Sequence, residues 1–152
     1  MTFQELLTQV RGENWKAPER LFAIDPGETI GHSNFNDGEF MFAGQVKDLK
    51  MLMRLIVSYE PDIVVYEDYK IYPGKLHSHS FSDITTLKII GAIEYICDLH
   101  NIKVIKQLAS TAKGFCTSEK LKEWGFYQRG KPHAMDATRH GCYALLFSKE
   151  LI

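Results

Sequence analysis

The chain lacks the features of membrane proteins, secreted proteins and repeat proteins. Its 152 residues contain no apolar run that approaches the roughly 20 residues of a membrane span, and no internal repeat or low-complexity segment. The first ten residues carry glutamine and glutamate where a signal peptide would be basic and then apolar. We therefore expect a globular protein that does not contact a membrane.

Cysteine is scarce as well. The three cysteines, Cys97, Cys116 and Cys142, are odd in number and form no Cys-x-x-Cys pair. This pattern argues against a disulfide framework and against a structural zinc site. We expect free, mostly buried thiols and a reducing compartment such as the cytoplasm.

The chain also has almost no net charge, and its formal value of −1 favours no class of partner. The charges are unevenly distributed, however. Residues 1–67 hold 11 acidic and 6 basic residues, whereas residues 68–152 hold 8 acidic and 12 basic residues. One basic face is sufficient for a polyanion such as DNA, so the C-terminal part is the better candidate for contacting it.

The length predicts one compact domain, which we assign to residues 20–152, preceded by an N-terminal extension at residues 1–19. In the extension, Phe3, Leu6, Leu7 and Val10 have helical spacing. This segment is expected to be a short helix on the domain or on a partner subunit; a mobile arm is the alternative.

Apolar patterning predicts an α/β fold. Strands are expected at 21–24, 29–36, 39–46, 63–66 and 102–105, and helices at 47–59, 83–100, 118–123 and 133–149. Three antiparallel strands followed by alternating helices and strands fit a five-stranded mixed sheet with helices on both faces. The first and fourth strands would then be central parallel neighbours.

Acidic side chains stand where two of these apolar strands end. Asp25 closes the first strand, Glu67 follows the fourth, and the last helix begins with His133-x-x-Asp136. Residues three apart lie on one side of a helix, and the carboxyl ends of parallel strands meet at one rim of the sheet. The four side chains can therefore converge, and their buried charge requires a cation or another partner.

Such a ligand set suits Mg²⁺, or Mn²⁺ if the imidazole of His133 is included. Two ions at one site can activate a water molecule and stabilise the departing oxygen of a phosphodiester. The pattern therefore predicts a divalent-metal nuclease. His133 is either a metal ligand or a proton carrier in this scheme.

These residues resemble the RuvC class of Holliday junction resolvases in the RNase H-like superfamily, particularly its short phage and bacterial forms. The resemblance covers about residues 20–149 and is carried, in order, by Asp25-Pro26-Gly27, Gly31, Glu67, Gly91 and His133-x-x-Asp136-Ala137. It implies an RNase H-like fold and a homodimer that cuts two opposing strands of a four-way DNA junction with Mg²⁺. It also implies 5′-phosphate products and the cytoplasm of a bacterial cell or phage-infected host.

Several aromatic and basic residues are candidates for contacting DNA. By resemblance, an aromatic side chain soon after Glu67 probes the junction centre, and Tyr69 matches best, followed by Tyr72. Aromatic rings can stack on bases while lysines neutralise phosphates. The candidates are Tyr69, Lys70, Tyr72, Lys75, Lys120 and Arg139, together with Lys113 at the reacting phosphate. His140 forms either a structural hydrogen bond or a DNA contact.

Two other functions are compatible with parts of this pattern. One is an RNase H-like nuclease for RNA–DNA hybrids or for branched and flapped DNA. The other is a non-catalytic protein that binds branched DNA, although binding phosphate gains nothing from four cation ligands. A nucleotide cofactor is not expected, because an ATPase of the actin-like type needs two large lobes.

Overall fold

The computed structural model describes residues 1–69 and 81–151, except for the side chains of residues 81–83. The strands are β1 (Arg20–Asp25), β2 (Ile30–Asn36), β3 (Glu39–Val46), β4 (Ile63–Glu67) and β5 (Lys103–Gln107). The helices are α1 (Phe3–Arg11), α2 (Leu49–Tyr59), α3 (Phe81–Leu99), α4 (Ala109–Phe115), α5 (Ser118–Glu123) and α6 (Pro132–Phe147). A short 3₁₀ turn, Lys149–Leu151, follows α6.

The strands form one mixed sheet in the order β3-β2-β1-β4-β5. β1 is antiparallel to β2 and parallel to β4, and β5 is parallel to β4. The predicted α/β fold is confirmed, including the central position of the first and fourth strands. Their register pairs Ile24 with Tyr66, so the residues that follow, Asp25 and Glu67, lie at the same rim.

Both faces of the sheet are covered, which explains the continuous apolar run in β1. Leu21 and Ala23 belong to the core cluster that α6 and α1 complete, whereas Phe22 and Ile24 belong to the cluster with α2 and α3. All four side chains are fully buried. Among the described residues, no helix combines the length and apolar character needed to cross a membrane.

The N-terminal helix packs on the domain. Phe3 and Leu7 are buried in the same cluster as residues of α6. At the other end of α1, Arg11 donates hydrogen bonds to the carbonyl oxygens of Ala144, Leu145 and Ser148, at 3.1, 2.8 and 2.8 Å. These carbonyls belong to the last turn of α6, where a cation is also favoured by the helix dipole.

The main difference from the sequence-based elements is α4. The segment between β5 and α5 contains serine, threonine and glycine, which are poor helix formers, and no side chain caps the helix at Leu108. Local signals therefore did not predict α4. The helix is held instead by packing on α6, with Ala112 fully buried.

The close approach of α6 to β2 depends on a glycine. A Cβ atom built at Gly31 would lie 1.8 Å from the carbonyl oxygen of His133 and 2.8 Å from the backbone nitrogen of Ala134. Only glycine allows backbone contact of this kind. Gly31 thus sets the distance between the sheet and the first turn of α6, which carries His133.

Candidate active site

Three strands end at one rim of the sheet, and each contributes a polar side chain there. Asp25 ends β1, Glu67 ends β4 and Gln107 ends β5, where it is the register partner of Glu67. Asp25 and Gln107 are each 8% exposed. Because β1, β4 and β5 are parallel, their carboxyl ends meet, as in other open α/β sheets.

The first half of α6 lies across this rim. His133, Asp136 and His140 occupy one side of the helix, since their spacings of three and four residues approximate one helical turn. His133 Nδ1 lies 3.1 Å from Asp25 Oδ2, and His140 Nε2 lies 3.3 Å from Glu67 Oε2. The structure thus brings the predicted residues of three separate segments together.

A side chain from β3 fixes the start of α6. Gln45 Oε1 accepts hydrogen bonds from the backbone nitrogens of His133 and Ala134, at 2.9 and 3.3 Å. Lys131, the residue at the N-cap, provides no side-chain hydrogen bond of its own. Gln45 therefore satisfies N–H groups that every helix leaves unpaired at its start, and it ties His133 to the sheet.

Asp25 carries the most strongly perturbed carboxyl group of the site. Burial raises its pKa to about 8, and the nearby charge of Glu67 contributes in the same direction. Asp136 adds to this effect, whereas Lys113 opposes it. A cluster of carboxylates that disfavours its own ionisation in this way is a favourable place for a cation.

The pKa of Glu67 is shifted in the opposite direction. Burial alone would raise its pKa, but hydrogen bonds with His140 and Asp25 and the charge of Lys113 outweigh this effect and lower it. Glu67 is therefore held ionised beside Asp25, whose ionisation is suppressed. The two carboxyl groups titrate as an interacting pair.

Lys113 lies between two of the carboxylates. Its Nζ atom is 3.4 Å from Asp136 Oδ2 and 3.8 Å from Glu67 Oε2, and the side chain is 43% exposed. It is positioned by α4, the helix that the sequence did not reveal. The ammonium group thus occupies the kind of position that a divalent cation takes between two carboxylates.

Arg139 holds the other oxygen of Asp136. Its NH1 atom donates to Asp136 Oδ1 at 2.7 Å, NH2 donates to Ser118 Oγ at 2.8 Å, and Nε donates to the carbonyl oxygen of Cys116 at 2.9 Å. The guanidinium group is largely buried by these contacts. Its geometry is that of a residue that positions Asp136.

The chemistry of the donor set fits a divalent metal ion. Asp25, Glu67 and Asp136 provide the oxygen ligands that Mg²⁺ and Mn²⁺ prefer, and His133 adds an imidazole. Within residues 1–69 and 81–151, however, no three such side chains already surround a common point. The Lys113 ammonium lies between Glu67 and Asp136, so a metal ion that bound between these two carboxylates would displace it.

The other predicted DNA-contacting residues have varied environments. Tyr69 is partly buried against the core cluster of α2 and α3. Lys120 donates a hydrogen bond to the carbonyl oxygen of Phe115 at 3.0 Å, and its ammonium lies 3.5 Å from the centre of that ring. Lys70, Tyr72 and Lys75 lie outside the described residues, so their predicted roles stay predictions.

Sequence reasoning left open or missed three polar residues of the site. His140 is fully buried and hydrogen-bonded, which agrees with a structural hydrogen bond among the two roles considered. Gln107 and Gln45 were not predicted, because a glutamine at a strand end has no distinctive sequence pattern. The signal for His140 was its spacing of seven residues from His133, which returns to the same side of a helix.

Comparison with solved structures identifies the class of fold. The chain has the RNase H-like fold found in RuvC and other Holliday junction resolvases. One similar structure is Thermus thermophilus RuvC in complex with a Holliday junction substrate, with a TM-score of 0.67 and 13% identity over 86% of this chain and 95% of that one.

Two other solved structures have similar folds. The resolvase of fowlpox virus, in complex with Holliday junction DNA, has a TM-score of 0.61 and 16% identity over 83% of this chain and 96% of that one. The yeast mitochondrial Holliday junction resolvase Ydc2 has a TM-score of 0.56 and 11% identity over 97% and 86%. No family model and no curated protein sequence matches the chain.

Proposed function

We propose that this protein is a metal-dependent endonuclease that resolves four-way DNA junctions by paired, symmetric nicks. The observation that carries the proposal is the convergence of Asp25, Glu67 and Asp136 at one rim of an RNase H-like sheet. The rim lies at the carboxyl ends of β1 and β4, where such folds bind their ligands. The solved structures of this fold include two resolvases in complex with junction DNA.

In this proposal Asp25, Glu67, Asp136 and His133 hold the metal, with Mg²⁺ as the expected ion, Mn²⁺ as a substitute and two ions per site. When bound, the ions would supply an activated water molecule and would stabilise the charge that develops on the phosphodiester. Glu67 suits this role because its environment keeps it ionised. Asp25, which burial holds largely protonated, would have to give up its proton to serve as a ligand.

His133 and Lys113 are the residues that would handle protons and charge at the scissile phosphate. His133 is 44% exposed at its side chain and lies against Asp25, so it can act as a ligand or exchange a proton with solvent. Once displaced by metal, the Lys113 ammonium would remain within reach of the phosphate and would stabilise its negative charge. Arg139 is assigned to the positioning of Asp136 rather than to direct DNA contact.

DNA contacts are proposed on either side of this rim. Tyr69, two residues after Glu67, is retained as the aromatic group that probes the junction centre. Lys70, Tyr72 and Lys75 follow it in sequence and are retained as contacts to bases and phosphates. Lys120 would contact the DNA backbone after leaving the Phe115 ring.

A homodimer is proposed because paired nicks in a two-fold symmetric substrate need two active sites. The outward face of α3 supports a second copy as its partner. Apolar residues of this face are exposed at helical spacing, namely Ile84, Leu87, Tyr95 and Leu99. A Cβ atom at Gly91 would meet nothing within 4 Å, so another helix can approach closely there.

The face is also self-complementary about Gly91. In an antiparallel, two-fold pairing centred on Gly91, each residue faces the one equally distant on the other side of the glycine. Leu87 of one copy would then face Tyr95 of the other. The two-fold axis repeats this apolar pair on both sides of Gly91, as an isologous interface requires.

A substrate panel tests the proposed function. Purified protein with Mg²⁺ is incubated with a four-way junction, linear duplex of the same sequence, flapped DNA and an RNA–DNA hybrid, each end-labelled. The expected result is nicking of opposing strands near the junction centre and little cleavage of linear duplex. Equal cleavage of hybrid or flap would favour the wider nuclease function, and binding without cleavage would identify a binding protein.

A further inference from the structure

Behind the proposed metal ligands, a buried histidine and a buried glutamine form a hydrogen-bonded chain that ends on Glu67. His140 is fully buried on α6, and Gln107 is 8% exposed at the end of β5. Gln107 Nε2 lies 3.0 Å from His140 Nδ1 and 3.0 Å from the carbonyl oxygen of His140. His140 Nε2 lies 3.3 Å from Glu67 Oε2.

The second contact of Gln107 fixes the orientation of its amide. A backbone carbonyl oxygen only accepts hydrogen bonds, so the atom of Gln107 that faces it must be the NH₂ group. The same NH₂ group faces His140 Nδ1. Because an NH₂ group carries two hydrogens and accepts none, Nδ1 must accept the second of these hydrogen bonds.

The imidazole is thereby restricted to one tautomer. Nδ1 accepts from Gln107, so the ring proton lies on Nε2, which faces the carboxylate of Glu67. The resulting chain runs from the Gln107 amide through the neutral imidazole to Glu67, with every hydrogen bond donated towards the carboxylate. Such a chain fixes both the ring and the carboxylate that it contacts.

We propose that His140, with its tautomer set by Gln107, is a positioning residue that holds Glu67 in the conformation needed to bind a divalent cation. This inference rests on the proposed metal site and extends it inwards. His140 contacts neither DNA nor the cation. It acts by donating to Glu67 Oε2, which fixes the orientation of the whole carboxylate.

The tautomer is tested first on the unmodified, metal-free protein. Two-bond ¹H–¹⁵N correlations from the imidazole ring protons distinguish a proton on Nε2 from a proton on Nδ1. His140 is assigned among the six histidines by comparison with H140Q. The expected pattern is that of a neutral ring protonated on Nε2. A ring protonated on Nδ1 or on both nitrogens would overturn the inference, whatever the protein cleaves.

The positioning role is tested by Mn²⁺ binding, measured by calorimetry without DNA, in wild type, H140A, H140N and H140Q. The amide nitrogen of glutamine can occupy the position of Nε2, whereas the shorter asparagine cannot reach Glu67. H140A and H140N are expected to weaken Mn²⁺ binding by about 10- to 100-fold, the usual effect of losing such a partner. H140Q is expected to recover most of the affinity.

Controls separate this role from folding and from the proposed function. H100A removes an exposed histidine outside the site and should leave Mn²⁺ affinity unchanged. Thermal unfolding identifies variants that fail to fold. If H140A fails to fold, Q107A replaces it, because this substitution leaves the imidazole in place. Equal Mn²⁺ affinity of wild type, H140A and Q107A would overturn the positioning role. Cleavage does not enter either test, so failure of the nuclease proposal would be seen separately.

Discussion

At the residue scale, the site is governed by how its carboxyl groups share charge. Asp25 and Glu67 are neighbours at two strand ends, yet the pKa of Asp25 is raised and that of Glu67 is lowered. The difference arises because Glu67 is hydrogen-bonded to His140, while Asp25 is more deeply buried and lies beside the charge of Glu67. At neutral pH the pair therefore holds one largely protonated carboxyl group, Asp25, beside an ionised one, Glu67.

The substitution D25N is expected to stabilise the metal-free protein at neutral pH. A carboxyl group whose pKa rises from 3.8 to about 8 on folding opposes the folded state wherever the unfolded chain has lost its proton. Its unfavourable effect is absent below about pH 4 and grows as pH rises towards 8. At pH 7 the gain in the free energy of unfolding is expected to be about 1 kcal/mol or more.

Urea unfolding of D25N and wild type in EDTA, from pH 4 to pH 8, measures this effect. The stability difference should widen with pH in favour of D25N. Adding Mn²⁺ should reverse the order, since only wild type then gains from metal binding. A stability difference that is independent of pH would contradict the raised pKa of Asp25.

The substitution K113A is expected to tighten Mn²⁺ binding to the DNA-free protein roughly three- to tenfold. The reason is that the ammonium group, which contacts Glu67 and Asp136, competes with the ion for the same carboxylates. Cleavage should nevertheless fall, because the charge that stabilises the phosphate is lost. Calorimetry for binding and a junction time course for cleavage measure the two effects.

The matched control for this experiment is K106A. Lys106 is also half-exposed and paired with a carboxylate, Glu94 at 3.1 Å, but Glu94 lies outside the proposed metal site. K106A should change neither property. Weaker Mn²⁺ binding by K113A would mean that Lys113 organises the carboxylates instead of competing with the ion.

The sequence pointed to the charged residues of the candidate site but not to the contacts and pKa shifts that link them. Asp25, Glu67 and Asp136 could be found because each stands at a strand end or in the first turns of a patterned helix. The opposite pKa shifts of Asp25 and Glu67 depend on burial and on distances to residues far along the chain. Gln107 and Gln45 were missed for the same reason, since their roles exist only in the folded arrangement.

At the element scale, α6 is held in place by contacts at both ends. Gly31 and Gln45 define its start, and Arg11 of α1 caps its end. The ends matter because the first turns of α6 carry His133 and Asp136. A small shift of the helix would separate these residues from Asp25 and Glu67.

The substitution G31A is expected to abolish cleavage and to destabilise the fold. The added methyl group would lie 1.8 Å from a backbone oxygen of α6, which cannot move aside without moving the helix. The control is G114A on α4, where the added methyl group meets nothing within 4 Å. Junction cleavage and thermal unfolding are measured for both. Wild-type cleavage by G31A would show that the contact between β2 and α6 does not set the site.

The substitution R11A is expected to lower stability without removing activity. It deletes three hydrogen bonds to carbonyl oxygens at the end of α6, for an expected loss of about 1–3 kcal/mol in the free energy of unfolding. Urea unfolding measures the loss, and K16A, at an exposed residue that follows α1, is the control. An unchanged free energy would mean that the extension at residues 1–19 contributes little to the domain.

The regular elements were largely predictable, whereas α4 was not. Alternating strands and amphipathic helices leave periodic patterns, and those patterns gave the order of the sheet. The ends of elements shifted by one or two residues, as when α3 begins at Phe81 rather than Asp83. Helix α4 depends on burial of Ala112 against α6, a long-range contact that no local pattern encodes.

At the scale of the whole molecule, the proposal requires two copies on one junction. This requirement can be tested by substituting a residue on the exposed apolar face of α3, where the second copy is proposed to bind. The substitution L87E places a charge within the exposed apolar row of α3 and is expected to give a monomer. Sedimentation velocity measures the mass, and V57E on the exposed side of α2 is the control.

Loss of the dimer should change how the junction is cut. A monomeric L87E protein should still nick a junction but should no longer cut both strands within one binding event. A supercoiled cruciform plasmid distinguishes the two results, because paired nicks linearise it and single nicks relax it. A dimer that persists in L87E would move the interface to another surface.

The central claim is that Asp25, Glu67 and Asp136 together hold the divalent ions that cut a DNA junction. The most direct measurement compares wild type with D25N, E67Q and D136N for both cleavage and binding of one labelled four-way junction. With Mg²⁺, wild type is expected to nick opposing strands, and each variant is expected to bind the junction without cutting it. Cleavage at the wild-type rate by any one of these variants, or by wild type in EDTA, would contradict the account.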